Sequence, residues 1–249
     1  MKSTSPGCGR RLATIFVAAL PLSVASPVQV AARSPGPADF PGALVSDAAA
    51  LPSTDSALWL LAGIGLTLGV HGFEDAGGAS RALDQGAWDS MADAGNVWGD
   101  IRLQAPLALG SWAVGGMMGD ESLARTGFDL SRSLALSYGA VTALKVAVDR
   151  ERPNGARYSF PSGHTSAAFC TAGVVTRRHG AWPGAIALVL AGWTALGRME
   201  DLKHHPSDTV AGAALGWIIG RNAARPGPAD ATAWRLEAVP GVVALVRGF

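Results

Sequence analysis

Three short polar clusters interrupt an otherwise dry chain, and they hold the residues best suited to chemistry. The first is Lys145 and, after six residues, Arg152-Pro153. The second is Pro161-Ser162-Gly163-His164. The third is Arg198, then His204 after five residues, then Asp208 after three more. Taken singly, each has an ordinary explanation. Lys145 closes an apolar run, where a cation complements a helix dipole. Arg150, Glu151 and Arg152 make a charged turn before Pro153. Ser162 suits a helix N-cap, and Pro206 with Asp208 suits the first turn of another helix.

Taken together, the clusters read as an anion site. Two of them place a histidine beside a predicted helix start, where free N–H groups and the dipole favour negative charge. Gly163 lets backbone come close to a ligand. Lys145, Arg152 and Arg198 supply cations, and the planar arginine fork can hold two phosphoryl oxygens at once. Phosphoryl transfer asks for positioning, charge stabilisation, a nucleophile and an acid, and all four are present.

Six apolar, Ala/Gly-rich runs without Asp, Glu, Lys or Arg must position these residues: Ala57–Phe73, Leu103–Gly119, Leu134–Leu144, Ser166–Thr176, Pro183–Gly197 and Thr209–Gly220. No strand-like alternation appears before the last fifteen residues. The expected fold is therefore all-α, a compact bundle of about six core helices. The runs are 11–17 residues long, short of the roughly 20 that a membrane span needs, which favours a compact domain. The charged share of 16%, against about 25% in ordinary proteins, suits membrane contact instead. Net charge is +1, so no general basic field points to nucleic acid.

In 249 residues the simplest division is a leader and one domain. Residues 1–32 read as an export signal, or an N-terminal anchor: Lys2, Arg10 and Arg11 precede an apolar stretch from Leu12 to Ala25, and small residues offer cleavage after Ala25 or Ala32. Cleavage would leave Cys170 without a partner for a disulfide. Segment 33–54, with Pro35, Pro37, Pro41 and Pro52, reads as a linker or surface arm. The helical domain then covers 55–225, and 226–249 forms a C-terminal tail that includes a possible extended segment. The polar, Gly-rich stretch 74–100 reads as a surface loop or short helices near the mouth of the bundle.

The clusters, in this order and spacing, resemble the signature of the type 2 phosphatidic acid phosphatase superfamily. It also includes bacterial acid phosphatases, lipid A and undecaprenyl-pyrophosphate phosphatases, and vanadium haloperoxidases. The resemblance covers Lys145 to Asp208. It departs at Gly197, where the family usually has a serine before its arginine. The resemblance implies that His204 is the nucleophile, Asp208 orients and charges its ring, and His164 serves as acid and then base. It further implies that Lys145, Arg152, Arg198, the Ser162 hydroxyl and the Gly163 amide hold the phosphate oxygens, with no metal or cofactor. His205 falls outside the pattern, as a wall or surface residue. The implied protein is an exported enzyme of the periplasm or cell envelope, acting on a phosphorylated small molecule or a lipid phosphate. The other readings are a non-catalytic binder of phosphorylated headgroups and a vanadate-dependent haloperoxidase. Trp88, Trp98, Trp112 and Tyr158 are either an apolar entrance for a lipid chain or core packing.

Overall fold

The computed structural model describes residues 34–83, 87–225, 234–239 and 242–247. The expected export segment lies outside them, as does the start of the tail. The described body is helical: α1 (Phe40–Ala49), α2 (Thr54–His71), α3 (Ala76–Leu83), α4 (Ala87–Trp98), α5 (Ile101–Met118), α6 (Glu121–Val148), α7 (Gly163–His179), α8 (Ala181–Glu200) and α9 (Pro206–Ala223). The all-α reading therefore holds for the body. All six apolar runs are helices, and the tail adds one antiparallel hairpin, β1 (Trp234–Val239) with β2 (Val242–Arg247).

Central in the bundle, α7 packs against α6, α8 and α9, while α5 packs on α6, α4 on α8 and α2 on α9. The core is built from small side chains, Ala168, Ala172, Ala187 and Ala191 in one cluster and Ala108, Leu134, Ala167, Cys170 and Ile219 in another. Small residues bring backbones together. A side chain added at Gly212, Gly216 or Gly220 of α9 would overlap the carbonyl oxygens of Ser162, Ser166 and Cys170 on α7. These two helices touch main chain to main chain, as small-residue spacing at every fourth position allows.

Two sequence expectations change. The segment expected as a linker or arm holds a ten-residue helix, α1, docked on α6. Its Asp47 is buried against Arg132, 2.7 Å away. The third apolar run proves to be the second half of a 28-residue helix. Charged residues in its first half do not end it because they are paired inside the protein: Asp129 accepts from Arg132 at 2.7 Å and from Arg178 at 2.6 Å. Asp120 caps its start by accepting from the Leu123 amide at 3.0 Å.

Since α2, α5, α8 and α9 run 18–20 residues, the helices are longer than the uncharged runs within them. Among the described residues no single helix is long and apolar enough to cross a membrane, although α2 with α3 passes as a sharply bent pair. Many large apolar side chains nevertheless face outward, among them Leu58, Leu61, Ile64 and Leu68 on α2, Met117 and Met118 on α5, and Trp182, Ile186 and Val189 on α8.

Candidate functional site

Each sequence cluster sits at an end of a helix, and the bundle brings those ends together. Lys145 lies in the last turn of α6, just before the chain turns through the left-handed Asp149 (φ 46°). The loop that follows carries Arg152 and returns to α7, where Ser162 is the N-cap and His164 stands in the first turn. Arg198 is in the last turn of α8. After a tight turn His204 precedes α9, with Asp208 in that helix's first turn. The Ser162 amide donates to the Asp208 carbonyl at 3.0 Å, which ties the starts of α7 and α9 together.

Lys145, Arg152, Gly163, His164, Arg198 and His204 line one cavity of about 330 Å³, with Ile101, Leu134, Tyr138 and Val141 as its apolar part. The other two sequence candidates stand behind this surface. Ser162 is fully buried, its hydroxyl 2.9 Å from that of Thr165, and it caps α7. Asp208 is also fully buried, with one carboxylate oxygen 3.8 Å from His204 Nδ1, beyond hydrogen-bond length.

Local charge explains the ionisation states. Burial, with the nearby charge of Arg152, pulls Lys145 down to about 8. Its ammonium is held at the Tyr158 carbonyl, 2.5 Å away. Burial and then Arg198 hold His164 down at about 4. Burial likewise holds His204 at about 4, although Asp208 opposes it. Both rings are therefore neutral at neutral pH in the unliganded cavity. Asp208 is kept at about 2, because hydrogen bonds from neighbours overcome the opposing effect of its burial.

Several supporting residues were missed or misread in the sequence. Ser159 donates to Asp208 at 2.5 Å, and the His205 amide does so at 2.9 Å. Arg150 turns inward to Asp208 at 2.8 Å and also pairs with Glu74. Glu74 accepts from the Ser207 amide at 3.0 Å, so the turn after α2 reaches the start of α9. Asn96 and Asp201 hold Arg198, at 3.0 Å and 3.4 Å, and bond to each other at 2.9 Å. The carboxylate pair Glu74-Asp75 directly after an apolar run was a signal for Glu74. Nothing in the Ala- and Gly-rich α4 sequence marks Asn96.

The aromatic entrance is built differently from either sequence option taken whole. Trp112 packs in a cluster with Phe40 and Phe128, Trp98 packs against the α7–α8 core, and Tyr158 lies under Arg157. The side chain of Trp88 is outside the described residues. Tyr138 is the aromatic that lines the cavity, and His205 faces the Glu151 carbonyl at 3.1 Å, away from it. Among the described residues no three of His, Cys, Asp or Glu form a metal-ligating group.

The PAP2 superfamily model matches residues 154–225. Over 91 residues the chain is 36% identical to the lipid A 1-phosphatase of Porphyromonas gingivalis, covering 35% of this chain and 20% of that protein. Over 98 residues it is 33% identical to the probable diacylglycerol pyrophosphate phosphatase 1 of Schizosaccharomyces pombe, covering 32% of this chain and 35% of that protein. The matched stretches thus span about a fifth and a third of these relatives. The crystal structure of Aquifex aeolicus LpxE superposes with a TM-score of 0.49 at 22% identity, over 57% of this chain and 87% of that one. The stretch 154–225 that matches the PAP2 superfamily model contains His164, Arg198, His204 and Asp208.

Proposed function

We propose that this protein is a phosphatase that hydrolyses a lipid-linked phosphate monoester or pyrophosphate, without a metal, through a phosphohistidine intermediate at His204. The observation that carries this reading is the convergence of two histidines and three cations on one cavity, with a buried carboxylate behind His204. With Nδ1 of His204 turned towards Asp208, Nε2 is the nitrogen that attacks phosphorus. The P–N bond forms as the P–O bond to the leaving group breaks, and His164 gives that oxygen a proton. Water then attacks phosphorus, His164 takes its proton, and phosphate departs as His204 is regenerated.

Lys145, Arg152 and Arg198 stabilise charge on the transferred group. Arg198 Nε is buried without a hydrogen-bond partner, and a bound oxyanion offsets that cost. A phosphate dianion also counters the cations that depress His164, raising it towards the protonated form that an acid must have. A lipid substrate fits the apolar half of the cavity and the outward-facing apolar side chains of α2, α5 and α8. Those surfaces also favour a place at the cell envelope, with membrane contact. The names of the two relatives, both of lipid phosphatases, support the same substrate class.

The test is phosphate release by the purified chain with chelator present, for p-nitrophenyl phosphate, phosphatidic acid and undecaprenyl pyrophosphate. Turnover that persists in chelator and disappears in His204→Ala is the expected result. A folded protein with no turnover on any of them, or a His204→Ala variant that keeps full activity, refutes the reading.

A further inference from the structure

Apart from the catalytic cavity, two cavities among the described residues share a wall. One, of about 430 Å³, is lined by Arg177, Arg221 and Arg225 together with Leu58, Trp59 and Ile218. The second is a groove of about 370 Å³ between α2 and α9, floored by Phe169, Leu188 and Trp217 and free of charged residues. Trp59, Ala62 and Ile218 line both. Neither shares a residue with the catalytic cavity, and neither has Asp or Glu among its described lining residues. Along α7, Arg177 is thirteen residues beyond His164, about 20 Å at the helical rise.

We propose that these two cavities are one binding site for an anionic phospholipid, with its phosphate among the three arginines and an acyl chain along the α2–α9 groove. Two of the arginines are held in place from behind. Arg225 donates to Ser53 at 2.7 Å and to Ser56 at 3.4 Å. Arg221 lies over the Trp217 ring, 5.1 Å from its centre. Arg177 is exposed at the rim. Cations at one end and uncharged walls at the other are the complement of an amphiphile, whereas a soluble anion would leave the groove unused. The groove exists because α2 and α9 approach closely at Gly63, where an added side chain would meet Ala214 Cβ at 2.5 Å. Trp59, half exposed, and Leu66, more so, present the apolar surface that a chain would cover.

The bound lipid is a diester, such as phosphatidylglycerol, which offers no phosphate monoester to the catalytic histidines. Its binding is therefore separable from turnover. The experiment places the full chain in phosphatidylcholine bilayers containing either phosphatidylglycerol or further phosphatidylcholine with brominated acyl chains, and reads tryptophan quenching. Trp59→Phe identifies the share that belongs to the groove. Quenching is expected at lower mole fraction for brominated phosphatidylglycerol. Changing Arg177 and Arg221 to Ala together should lower that preference by about fivefold for each arginine. The Arg177→Lys, Arg221→Lys pair should keep most of it, and thermal melts establish that both pairs are folded. Equal quenching by the two lipids in the parent would overturn the proposal, as would an undiminished preference in the folded Ala pair. Equally tight competition by the soluble diester glycerophosphoglycerol would also overturn it, because the groove would then contribute nothing.

Discussion

Gly197 stands where the superfamily usually has a serine, so Gly197→Ser is the substitution that resemblance would call harmless. The structure predicts otherwise. A Cβ at 197 would sit 2.8 Å from the Ala92 carbonyl oxygen and 3.3 Å from Asn96 Oδ1. The first is backbone on α4 and yields only if that helix moves. Overpacking of this kind costs about 1–3 kcal/mol, and the better helix propensity of serine returns about 0.5 kcal/mol. The net loss of about 0.5–2.5 kcal/mol corresponds to a melting temperature lower by about 1–10 °C in a chain this size. Because α4 also brings Asn96 to Arg198, kcat/KM should fall roughly tenfold, about 1.4 kcal/mol of transition-state stabilisation. Thermal melts and steady-state phosphate release measure both. Combining the change with Asn96→Ala tests the route: if both act through Arg198, their effects on kcat/KM are less than additive. A Gly197→Ser protein that melts at or above the parent temperature with unchanged kcat/KM would refute the packing argument.

Acid should destabilise the fold well above the pH at which Asp208 titrates. His204 and His164 are held near 4 when folded, against an ordinary 6.5, so their stabilising contribution is complete above 6.5 and lost as pH falls towards 4. For the nearly buried His204 alone this is about 3 kcal/mol, measurable by urea unfolding at pH 7.5, 6 and 5; a flat profile would contradict the burial argument. Ser159→Ala removes a hydroxyl donor from buried Asp208 and should cost about 1.5–3 kcal/mol in the same assay. Glu74→Gln should weaken the hold on Arg150 and lower kcat while leaving KM within about twofold, since Glu74 does not line the cavity. Phosphate or vanadate binding should take up protons at pH 7 as the histidine pKa values rise, which calorimetry in buffers of different ionisation enthalpy would register. No proton uptake would indicate that the anion sits elsewhere.

The helices were legible because their apolar runs are long and uniform, and the residues that meet at the candidate site were legible where chemistry and spacing coincide, at Lys145, His164, Arg198, His204 and Asp208. Charge misled the reading of α6: Asp129 and Arg132 look like a helix end in one dimension and are a buried ion pair in three. The prolines of 33–54 suggested an arm, yet Pro41 is accommodated in the first turn of α1, where its missing N–H costs nothing. Ser162 was equally legible as a cap and as a phosphate ligand, and the structure gives it the cap geometry. Asn96 and Glu74 lie 102 and 76 residues from the arginines they hold, so local pattern could not pair them, whereas Asp201 is three residues from Arg198, an ordinary helical spacing.

The contact between α7 and α9 has a further consequence for how this site can vary. The separation of the histidine in the first turn of α7 from the one that leads into α9 is set by glycine against carbonyl oxygen, with no side chain between. Side-chain interfaces drift as residues are exchanged, because a methyl lost on one helix is answered by a small slide of the other. A main-chain interface has no such slack, and it works as a gauge of fixed length. Apolar substitutions on the outward faces of α2, α5 and α8 can therefore accumulate, adapting the protein to different surroundings, while the two histidines keep their spacing.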